Sequence, residues 1–318
     1  MNDGAEMPPL IVIGGATATG KTELAIRLAE ALEVDGRHVA VISADSRQVF
    51  RGLDIGTAKV SAADRARVPH FGLDLVEPDE PFSVADFVEH AQAVLAGLDR
   101  PGGVAVLVGG TGLYLRAVGR GLDTGALPSD PAVRACLEAD LLRDGLPALV
   151  TRLEAKAPSL AARVDLRNKR RVVRALEIAE LAGDFDRPAP RGYAGPSAWL
   201  GLTVEPAEHV RWIGSRARAQ FAAGLVDEAR DLRERFDPVL PAFSAIGYRE
   251  AWAILDCRLT LEAAIELDAG RNVAFAKRQR TWFRAEHGIT WLDATAGPPT
   301  GAAIELARRA LDQPATAG

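Results

Sequence analysis

A single short motif near the N-terminus limits the folds that are open to this chain. Gly15-Ala-Thr-Ala-Thr-Gly-Lys-Thr22 matches the pattern Gly-x4-Gly-Lys-Ser/Thr at every fixed position, and the apolar run Leu10–Ile13 precedes it. Leu24, Leu28 and Leu32 follow at helical spacing. A buried strand, a glycine-rich turn and a helix in this order predict a phosphate-binding loop, because backbone amides and the helix N-terminus then face phosphate oxygens.

This segment, called the phosphate loop below, is expected to hold a diphosphate or a polyphosphate, and the motif alone does not specify which. Lys21 supplies a positive charge, and Thr22 supplies a hydroxyl suited to Mg²⁺, the one cofactor that we expect. The predicted phosphate-binding residues are Gly15, Ala16, Thr17, Ala18, Thr19, Gly20, Lys21 and Thr22.

The apolar runs that follow predict the fold class. Val39–Ile42 and Val104–Val108 alternate with helical patterns such as Ser83–Leu98. Continuous apolar strands separated by helices predict a parallel sheet that is buried on both faces. We therefore expect an α/β, P-loop NTPase-like domain with helices flanking the sheet, which Trp199–Val204 and Ile289–Leu292 rejoin as later strands.

A chain of 318 residues is long enough for two domains or for one domain with a large insertion. Between residues 123 and 196, strand-like runs give way to helical spacing rich in Ala, Leu, Arg and Glu, which predicts a mainly helical insertion. The catalytic core would then comprise residues 8–122 and 197–312. The tails, residues 1–7 and 313–318, are expected to be disordered.

Several classes of protein are excluded or disfavoured by simple counts. Cys136 and Cys257 lie 121 positions apart, which excludes a disulfide framework or a cysteine-based zinc site. The N-terminus lacks the basic start and apolar run of a signal peptide, and the longest apolar runs fall far below the roughly 20 residues of a membrane span. We expect a cytoplasmic protein with no membrane partner, and no protein partner is evident.

One carboxylate, Asp45, directly follows the second apolar run. Because ligands bind at the carboxyl ends of strands in open α/β sheets, Asp45, Thr111 and the phosphate loop are expected to converge. Asp45 is alternatively a helix cap or a turn residue. The run Val104–Val108 ends in Gly109–Tyr114 without a carboxylate, which argues against a motor ATPase.

Nine segments together resemble the bacterial tRNA dimethylallyltransferases, the IPP transferase family, and they follow in order over nearly the whole chain. They are Gly15–Thr22, Asp45–Gly52, Asp54–Lys59, Pro69-His70, Phe82–Phe87, Gly109–Tyr114, Arg174–Glu177, Gly247–Arg249 and Lys277–Trp282. The phosphate loop alone would be unspecific. Its combination with Asp45–Gly52, Asp54–Lys59 and Gly109–Tyr114 is highly specific.

The resemblance implies transfer of a dimethylallyl group from dimethylallyl diphosphate to the exocyclic amine of the adenosine 3′ of the anticodon in tRNA. The phosphate loop would hold the diphosphate leaving group. Asp45 would accept the proton of the amine, Thr111 would orient the base or the diphosphate, and Arg216 would lie beside the diphosphate. Trp212 stands where the family often has another arginine, and Phe50 stands where a tyrosine is more usual. The C-terminal zinc finger of eukaryotic relatives is ruled out by the lack of paired Cys/His spacing.

Two basic clusters stand out in an otherwise acidic chain. The formal net charge is −5, yet Arg163–Arg174 and Arg271–Arg284 each carry +5, which leaves about −15 for the rest. Four arginines of the first cluster have the spacing of one helix face: Arg167, Arg170, Arg171 and Arg174. A single cluster is typical of a solvated helix face, but two clusters in this background favour contacts with a phosphate backbone.

The clusters and the resemblance together predict which residues contact the anticodon stem-loop of tRNA. Trp282 is expected either to stack on a base or to belong to the core, and His70 by its chemistry alone is a surface or turn histidine. The predicted tRNA contacts are Asp45, Ser46, Arg47, Gln48, Arg134, Lys169, Arg170, Arg171, Gly247, Tyr248, Arg249, Lys277, Arg278, Arg280, Trp282 and Arg284.

Three other functions stay open at this point. An adenylate isopentenyltransferase shares the loop and the chemistry but takes a free nucleotide, so it needs no insertion that grips tRNA. In a P-loop small-molecule kinase, Asp45 would be a base or a Mg²⁺ ligand and the insertion would be a lid. A nucleotide-gated RNA-binding module would leave Asp45 and Thr111 without a purpose.

Overall fold

The computed structural model describes residues 7–98, 101–124, 127–184 and 189–312, and one parallel sheet organises the fold. Its strands are β1 (Leu10–Gly15), β2 (His38–Ser43), β3 (His70–Phe71), β4 (Gly103–Gly109), β5 (Ser197–Thr203) and β6 (Ile289–Asp293). The spatial order is β3, β2, β4, β1, β5, β6, and every neighbouring pair is parallel. The predicted α/β fold with a parallel sheet is confirmed.

Helices connect and cover these strands. Within the described ranges they are α1 (Lys21–Val34), α2 (Ala62–Arg67), α3 (Val84–Gly97), α4 (Gly112–Gly119), α5 (Pro131–Lys156), α6 (Pro158–Ala161), α7 (Lys169–Ala182), α8 (Pro206–Ala222), α9 (Leu225–Arg235), α10 (Tyr248–Leu255), α11 (Leu261–Arg284) and α12 (Thr300–Leu311). Helix α5 breaks at Gly145, whose φ of 79° is left-handed, just before Pro147. None of the described helices is long and apolar enough to cross a membrane.

The sheet explains the apolar runs of the sequence. Strands β1 and β4 are buried along their whole lengths, and both lie in the middle of the sheet, β1 between β4 and β5 and β4 between β2 and β1. Helix α1 buries Leu24, Leu28 and Leu32 against the sheet, and each such side chain contributes about 1.5–3 kcal/mol by leaving water. The first turn of α1 thereby holds the phosphate loop at the carboxyl end of β1.

The chain divides into two compact units, Met1–Gly121 with Gly192–Gly318, and Leu122–Arg191. The smaller unit is mainly helical and ends five residues before the boundary expected at residue 196. Gly192 already belongs to the larger unit, since its amide donates to the Arg120 carbonyl, and the Tyr193 hydroxyl donates to the Pro8 carbonyl at 2.6 Å. The predicted disordered tails lie outside the described residues, except Met7, which is half-buried.

Strand β3 was not expected from the sequence. Only His70 and Phe71 form it, paired with Val41 and Ile42 of β2, so it is too short to produce a periodic pattern. The strand predicted as third in the chain is therefore the fourth. Both later strands are present. The last one begins at Ile289 as expected, and the other ends are shifted by one or two residues, as is usual for element boundaries.

The smaller unit has its own apolar core, which α5, α6 and α7 share. Helix α7 begins only at Lys169, because the Asn168 side chain accepts the Arg171 amide and caps the helix. Arg167 therefore precedes the helix, and Arg174 turns towards the buried carboxylate of Glu177. The prediction that four arginines of this cluster share one helix face is wrong, because Arg167 lies outside the helix. Arg170 and Arg171 are exposed on α7, and Arg174 is half-buried.

Candidate active site

The phosphate loop leaves β1 at Gly15 and enters α1 at Gly20, with φ values of 153° and 81°. Its turn is closed by the Ala16 carbonyl, which accepts hydrogen bonds from Thr19 Oγ1, at 2.9 Å, and from Lys21 Nζ. The positive φ at Gly20 explains why a glycine must precede the lysine. Lys21 is thereby held at the N-terminus of α1, where its ammonium and the helix end both favour an anion.

One cavity, called the loop cavity, joins the phosphate loop to the carboxyl ends of β2 and β4. It brings together side chains from segments that are widely separated along the chain, as expected for the edge of an open parallel sheet. The lining residues are Thr17, Lys21, Thr22, Ser43, Asp45, Gln48, Thr57, Ala58, Val60, His70, Val108, Gly109, Gly110, Arg216, Phe275 and Gln279.

Thr17 is held at three points by side chains from α8 and α11. Its amide donates to Gln279 Oε1 at 2.8 Å, its carbonyl accepts from His209 Nε2 at 2.8 Å, and its hydroxyl accepts from Arg216 Nη1 at 2.9 Å. His209 Nδ1 accepts from Arg280 at 3.0 Å, so His209 is the neutral tautomer, with its proton on Nε2. Burial lowers the pKa of His209 and favours this neutral form.

Two cations share the loop cavity with one carboxylate. Burial, reinforced by the charge of Arg216, lowers the pKa of Lys21 to about 7, while Asp45 acts in the opposite direction. Burial also lowers the pKa of Arg216, against the attraction of Asp45 and Asp268. Two cations that are buried close together favour the binding of an anion, because its negative charge relieves their repulsion and compensates for their lost hydration.

Asp45 lies at the end of β2 in a turn that Thr111 supports. Its Oδ1 accepts the Arg47 amide at 2.8 Å, and Thr111 Oγ1 accepts the adjacent Ser46 amide at 3.0 Å. The Thr111 amide in turn donates to the Ala44 carbonyl at 3.1 Å. Thr111 therefore fixes the turn that carries Asp45, whereas Asp45 itself lines the loop cavity.

The glycines of the segment Gly109–Tyr114 permit close packing beside the site. A Cβ atom at Gly109 would collide with the Ala44 carbonyl, and one at Gly112 would collide with the Trp282 ring. The first contact packs the end of β4 against the turn that carries Asp45. The second packs the start of α4 against α11. The glycine spacing is therefore a packing requirement at the site.

With this geometry defined, known proteins provide a comparison. A family model described as IPP transferase matches residues 48–286. The chain is 44% identical over 308 residues to a tRNA dimethylallyltransferase of Anaeromyxobacter sp. (strain K), covering 95% of this chain and 97% of that relative. The chain belongs to the IPP transferase family. The resemblance inferred from nine sequence segments is thus confirmed.

Other known proteins are similar to this chain in sequence, in fold or in both. A tRNA dimethylallyltransferase of Thiobacillus denitrificans is 43% identical, with 91% of this chain and 93% of the relative covered. The crystal structure of a tRNA isopentenylpyrophosphate transferase from Bacillus halodurans has a TM-score of 0.68 at 38% identity and covers 95% of both chains. A eukaryotic dimethylallyltransferase acting on tRNA shares the fold, with a TM-score of 0.77 at 23% identity over 97% of this chain and 81% of that one.

Many of the predicted tRNA contacts are on the surface of this family member. The exposed ones are Lys169, Arg170, Arg171, Arg249, Lys277, Arg278 and Arg284. Ser46 and Arg47 are half-buried, as is Arg134, whose guanidinium is paired with the buried carboxylate of Glu177. Of these cations, Lys169, Arg170 and Arg171 are concentrated in the first turn of α7.

Tyr248 cannot be a direct tRNA contact in this structure, and this prediction is corrected. Its side chain is fully buried, and its hydroxyl donates to Glu228 at 2.7 Å. The Glu228 carboxylate also accepts the backbone amides of Ile55 and Gly56, at 2.7 and 3.2 Å. The tyrosine therefore supports the Asp54–Lys59 segment, which explains why both motifs occur together.

Gln48, Gly247 and Trp282 are also turned inward. Gln48 is 8% exposed, and its Nε2 donates to the Thr57 carbonyl at 3.1 Å, so it shapes the loop cavity from within the protein. Gly247 is buried. The half-buried Trp282 ring packs on Gly112, so of the two roles expected for it the structure supports packing.

Arg280 donates a hydrogen bond to His209. With Lys277 and Arg284 it lines a second cavity of about 520 Å³. Part of the second basic cluster therefore faces this cavity beside the phosphate loop. The lining also includes Ala16 and Trp291. A charge pattern indicates that cations cluster but does not show which surface they face.

Gln279 and His209 are site residues that were not predicted from the sequence, and His70 was not expected to line the site. Gln279 lies inside the matched segment Lys277–Trp282, and an uncharged amide among the cations of that segment could have indicated a site residue. His70 lines the loop cavity, and its Nδ1 donates to the Val68 carbonyl at 2.7 Å, whereas we had expected a surface or turn histidine. His209 lies in an ordinary helical pattern that carries no comparable signal.

Proposed function

We propose that this protein transfers the dimethylallyl group of dimethylallyl diphosphate to the exocyclic amine of the adenosine 3′ of the anticodon in tRNA. The observation that carries this proposal is one cavity in which Lys21 and Arg216 face a carboxylate, Asp45. The cations suit a diphosphate, and the carboxylate suits an amine that must lose a proton. Relatives with 44% identity are named tRNA dimethylallyltransferases.

The reaction requires charge stabilisation more than covalent catalysis. The bond from the allylic carbon to the diphosphate oxygen breaks while a bond from that carbon to the adenine nitrogen forms. Lys21, Arg216 and the N-terminus of α1 stabilise the negative charge on the departing diphosphate. Asp45 accepts the proton that the amine loses, so the products are the prenylated adenosine, diphosphate and a proton.

Mg²⁺ is proposed to accompany the diphosphate. Among the described residues, no group of three His, Cys, Asp or Glu side chains could hold a metal ion. The Thr22 hydroxyl, which lines the loop cavity, is the protein ligand that we assign, with diphosphate oxygens supplying the others. This donor set fits Mg²⁺, which is often held by few protein groups together with substrate phosphates, and which neutralises their charge.

A tRNA acceptor is favoured over a free nucleotide by the start of α7. Lys169, Arg170 and Arg171 are exposed there, and their charges add to the positive end of the helix. A free nucleotide needs no such surface, whereas an anticodon stem-loop presents a row of phosphates. Extracting the adenosine from its stack costs a few kcal/mol, and these contacts offset that cost.

A direct transfer assay tests the proposal. The protein is incubated with labelled dimethylallyl diphosphate and either unmodified tRNA or AMP, and separately with ATP and candidate acceptors. We expect label in tRNA. Label in AMP alone would support an adenylate isopentenyltransferase, and phosphate transfer from ATP would support a kinase.

Binding of an anticodon stem-loop is expected to weaken steeply with salt, because cations at the start of α7 displace counterions from the RNA. Replacing both Arg170 and Arg171 with Ala should reduce the slope of log Kobs against log salt by roughly 0.7–0.9 for each phosphate that the protein no longer neutralises. Fluorescence anisotropy between about 50 and 200 mM salt measures this slope.

Arg143 provides the matched control for this experiment. It is an exposed arginine of the same unit, but its guanidinium is paired with Asp140 and Asp144. Arg143→Ala should leave the salt slope unchanged. A slope equal to that of the wild type in the Arg170/Arg171 double variant would remove these residues from the RNA interface.

Diphosphate binding is expected to take up a proton above neutral pH. The pKa of Lys21 is about 7 without an anion, and a bound diphosphate raises it by attraction. Between pH 7 and the raised pKa, binding must therefore protonate Lys21, so affinity falls as pH rises. In calorimetry with inorganic diphosphate in buffers of different ionisation enthalpy, the contribution of Lys21 should be an uptake of close to one proton near pH 8 and almost none below about pH 6.

Lys21→Arg separates this proton from those of diphosphate itself. Arginine stays charged throughout this pH range, so residue 21 of the variant takes up no proton when diphosphate binds. Any protons that diphosphate itself gains or loses are still measured in the variant. The difference between the two proteins reports Lys21 alone. Equal uptake in both would contradict the assignment.

A further inference from the structure

Gln279 of α11 joins two parts of the site that are far apart in the sequence. Its Oε1 accepts the Thr17 amide of the phosphate loop at 2.8 Å, and its Nε2 donates to the Gly110 carbonyl at 3.0 Å. The residue is 7% exposed. One planar amide therefore sets the distance between the phosphate loop and the segment after β4.

The path of hydrogen bonds continues from Gly110 to the carboxylate. Thr111 follows Gly110, and its Oγ1 accepts the amide of Ser46, the neighbour of Asp45. A Cβ atom at residue 110 would collide with Gln279 Nε2, so any larger residue there would displace the amide from the Gly110 carbonyl. The phosphate loop and the turn of Asp45 are thus connected through a single side chain and one threonine.

The chemistry of an amide makes this connection directional. Its oxygen only accepts and its nitrogen only donates, so a glutamine satisfies one N–H and one carbonyl at a fixed separation. An apolar side chain of the same length would remove the partners of both backbone groups, which lie on half-buried residues that line the loop cavity. Unpaired backbone groups are costly, and the two segments would be free to shift to find other partners.

We propose that Gln279 is a positioning residue that sets the distance between the diphosphate in the phosphate loop and the amine held at Asp45. This inference rests on the proposed function, in which the allylic carbon and the nitrogen must approach to about 3–3.5 Å before the bond forms. Gln279 acts through Thr17 and Gly110, and it does not touch the reacting atoms.

Gln279→Met is the first test, since methionine keeps the length of the side chain and removes both hydrogen bonds. We expect kcat for prenyl transfer to fall by up to about 10²-fold, with KM for both substrates within about threefold of the wild type. Gly110→Ala should produce the same pattern by displacing the Gln279 amide. Gln92→Met, on the exposed side of α3, is the matched control and should leave both constants unchanged.

Gln279→Glu distinguishes positioning from mere packing. A protonated carboxyl group reproduces the amide pattern, because its carbonyl oxygen accepts from Thr17 and its hydroxyl donates to Gly110. The ionised form instead places a negative oxygen against the Gly110 carbonyl. The ratio of the variant kcat to the wild-type kcat should therefore rise as pH falls from about 8 to about 5.5, whereas a residue that only fills space gives a flat ratio.

The outcomes separate this inference from the function on which it rests. A wild-type protein that does not prenylate tRNA contradicts the proposed function. An active wild type with an undiminished kcat in Gln279→Met, or with a flat ratio in Gln279→Glu, overturns the positioning role alone. Should the methionine variant fail to fold, the pH series of the glutamate variant decides the question.

Discussion

Asp45→Asn is expected to lower kcat for prenyl transfer by about 10²–10⁴-fold, the usual loss when a general base is removed. The asparagine keeps an oxygen at the position of Oδ1, so the Arg47 amide retains its acceptor and the turn is preserved. The variant can no longer take the proton of the adenine amine. Affinity for an anticodon stem-loop should stay within about threefold, because the cations that face the RNA phosphates are unaltered.

Single-turnover kinetics with saturating substrates and stem-loop anisotropy measure the two quantities separately. Asp45→Ala removes the turn contact as well, so a further decrease in rate from Asn to Ala reports the structural part of the side chain. If the asparagine variant keeps the wild-type rate and only the alanine variant is slow, Asp45 is a turn residue and some other group accepts the proton.

Arg216→Ala is expected to lower kcat by about 10²–10³-fold, the range found when one preorganised donor to a developing negative charge is removed. The guanidinium lies in the loop cavity and donates to the Thr17 hydroxyl, so it also helps to hold the phosphate loop. Affinity for inorganic diphosphate should fall with the rate. Arg216→Lys should recover part of the activity, because it restores the charge without the fork of donors.

Arg218 lies on the same helix and is the matched control. Its side chain is 63% exposed and pairs with Glu262, away from the loop cavity. Arg218→Ala should leave kcat and diphosphate affinity unchanged. An Arg216→Ala protein with the rate of the wild type would show that Lys21 and the α1 N-terminus suffice for the leaving group.

The sequence predicted the layers of the fold well because buried parallel strands and helices have distinct periods. The Leu10–Ile13 and Val104–Val108 runs are strands with every residue buried. The convergence of Asp45 with the phosphate loop also follows from a general rule of open sheets. The pattern of apolar residues did not predict β3. Its two residues form a strand because they pair with the edge of β2 that faces away from β4.

Within the site, a motif shows that a position is constrained but not whether its side chain faces a ligand or the core. Tyr248 and Gln48 lie in matched segments, yet they serve neighbouring backbone groups, and this is decided by tertiary contacts. The starting residue of α7 was predictable in principle. Asn168 is a favoured capping residue, and recognising it would have excluded Arg167 from the helix.

The order of strands has a consequence for synthesis on the ribosome. Strand β1, which leads into the phosphate loop, is flanked by β4 and by β5, and β5 is encoded after the whole of Leu122–Arg191. At a synthesis rate of about 5–20 residues per second, one edge of β1 stays unpaired for roughly 10–40 s before β5 has been made. The nascent chain must therefore keep an apolar edge strand from pairing wrongly during that interval, while the helical segment emerges and can bury its own core.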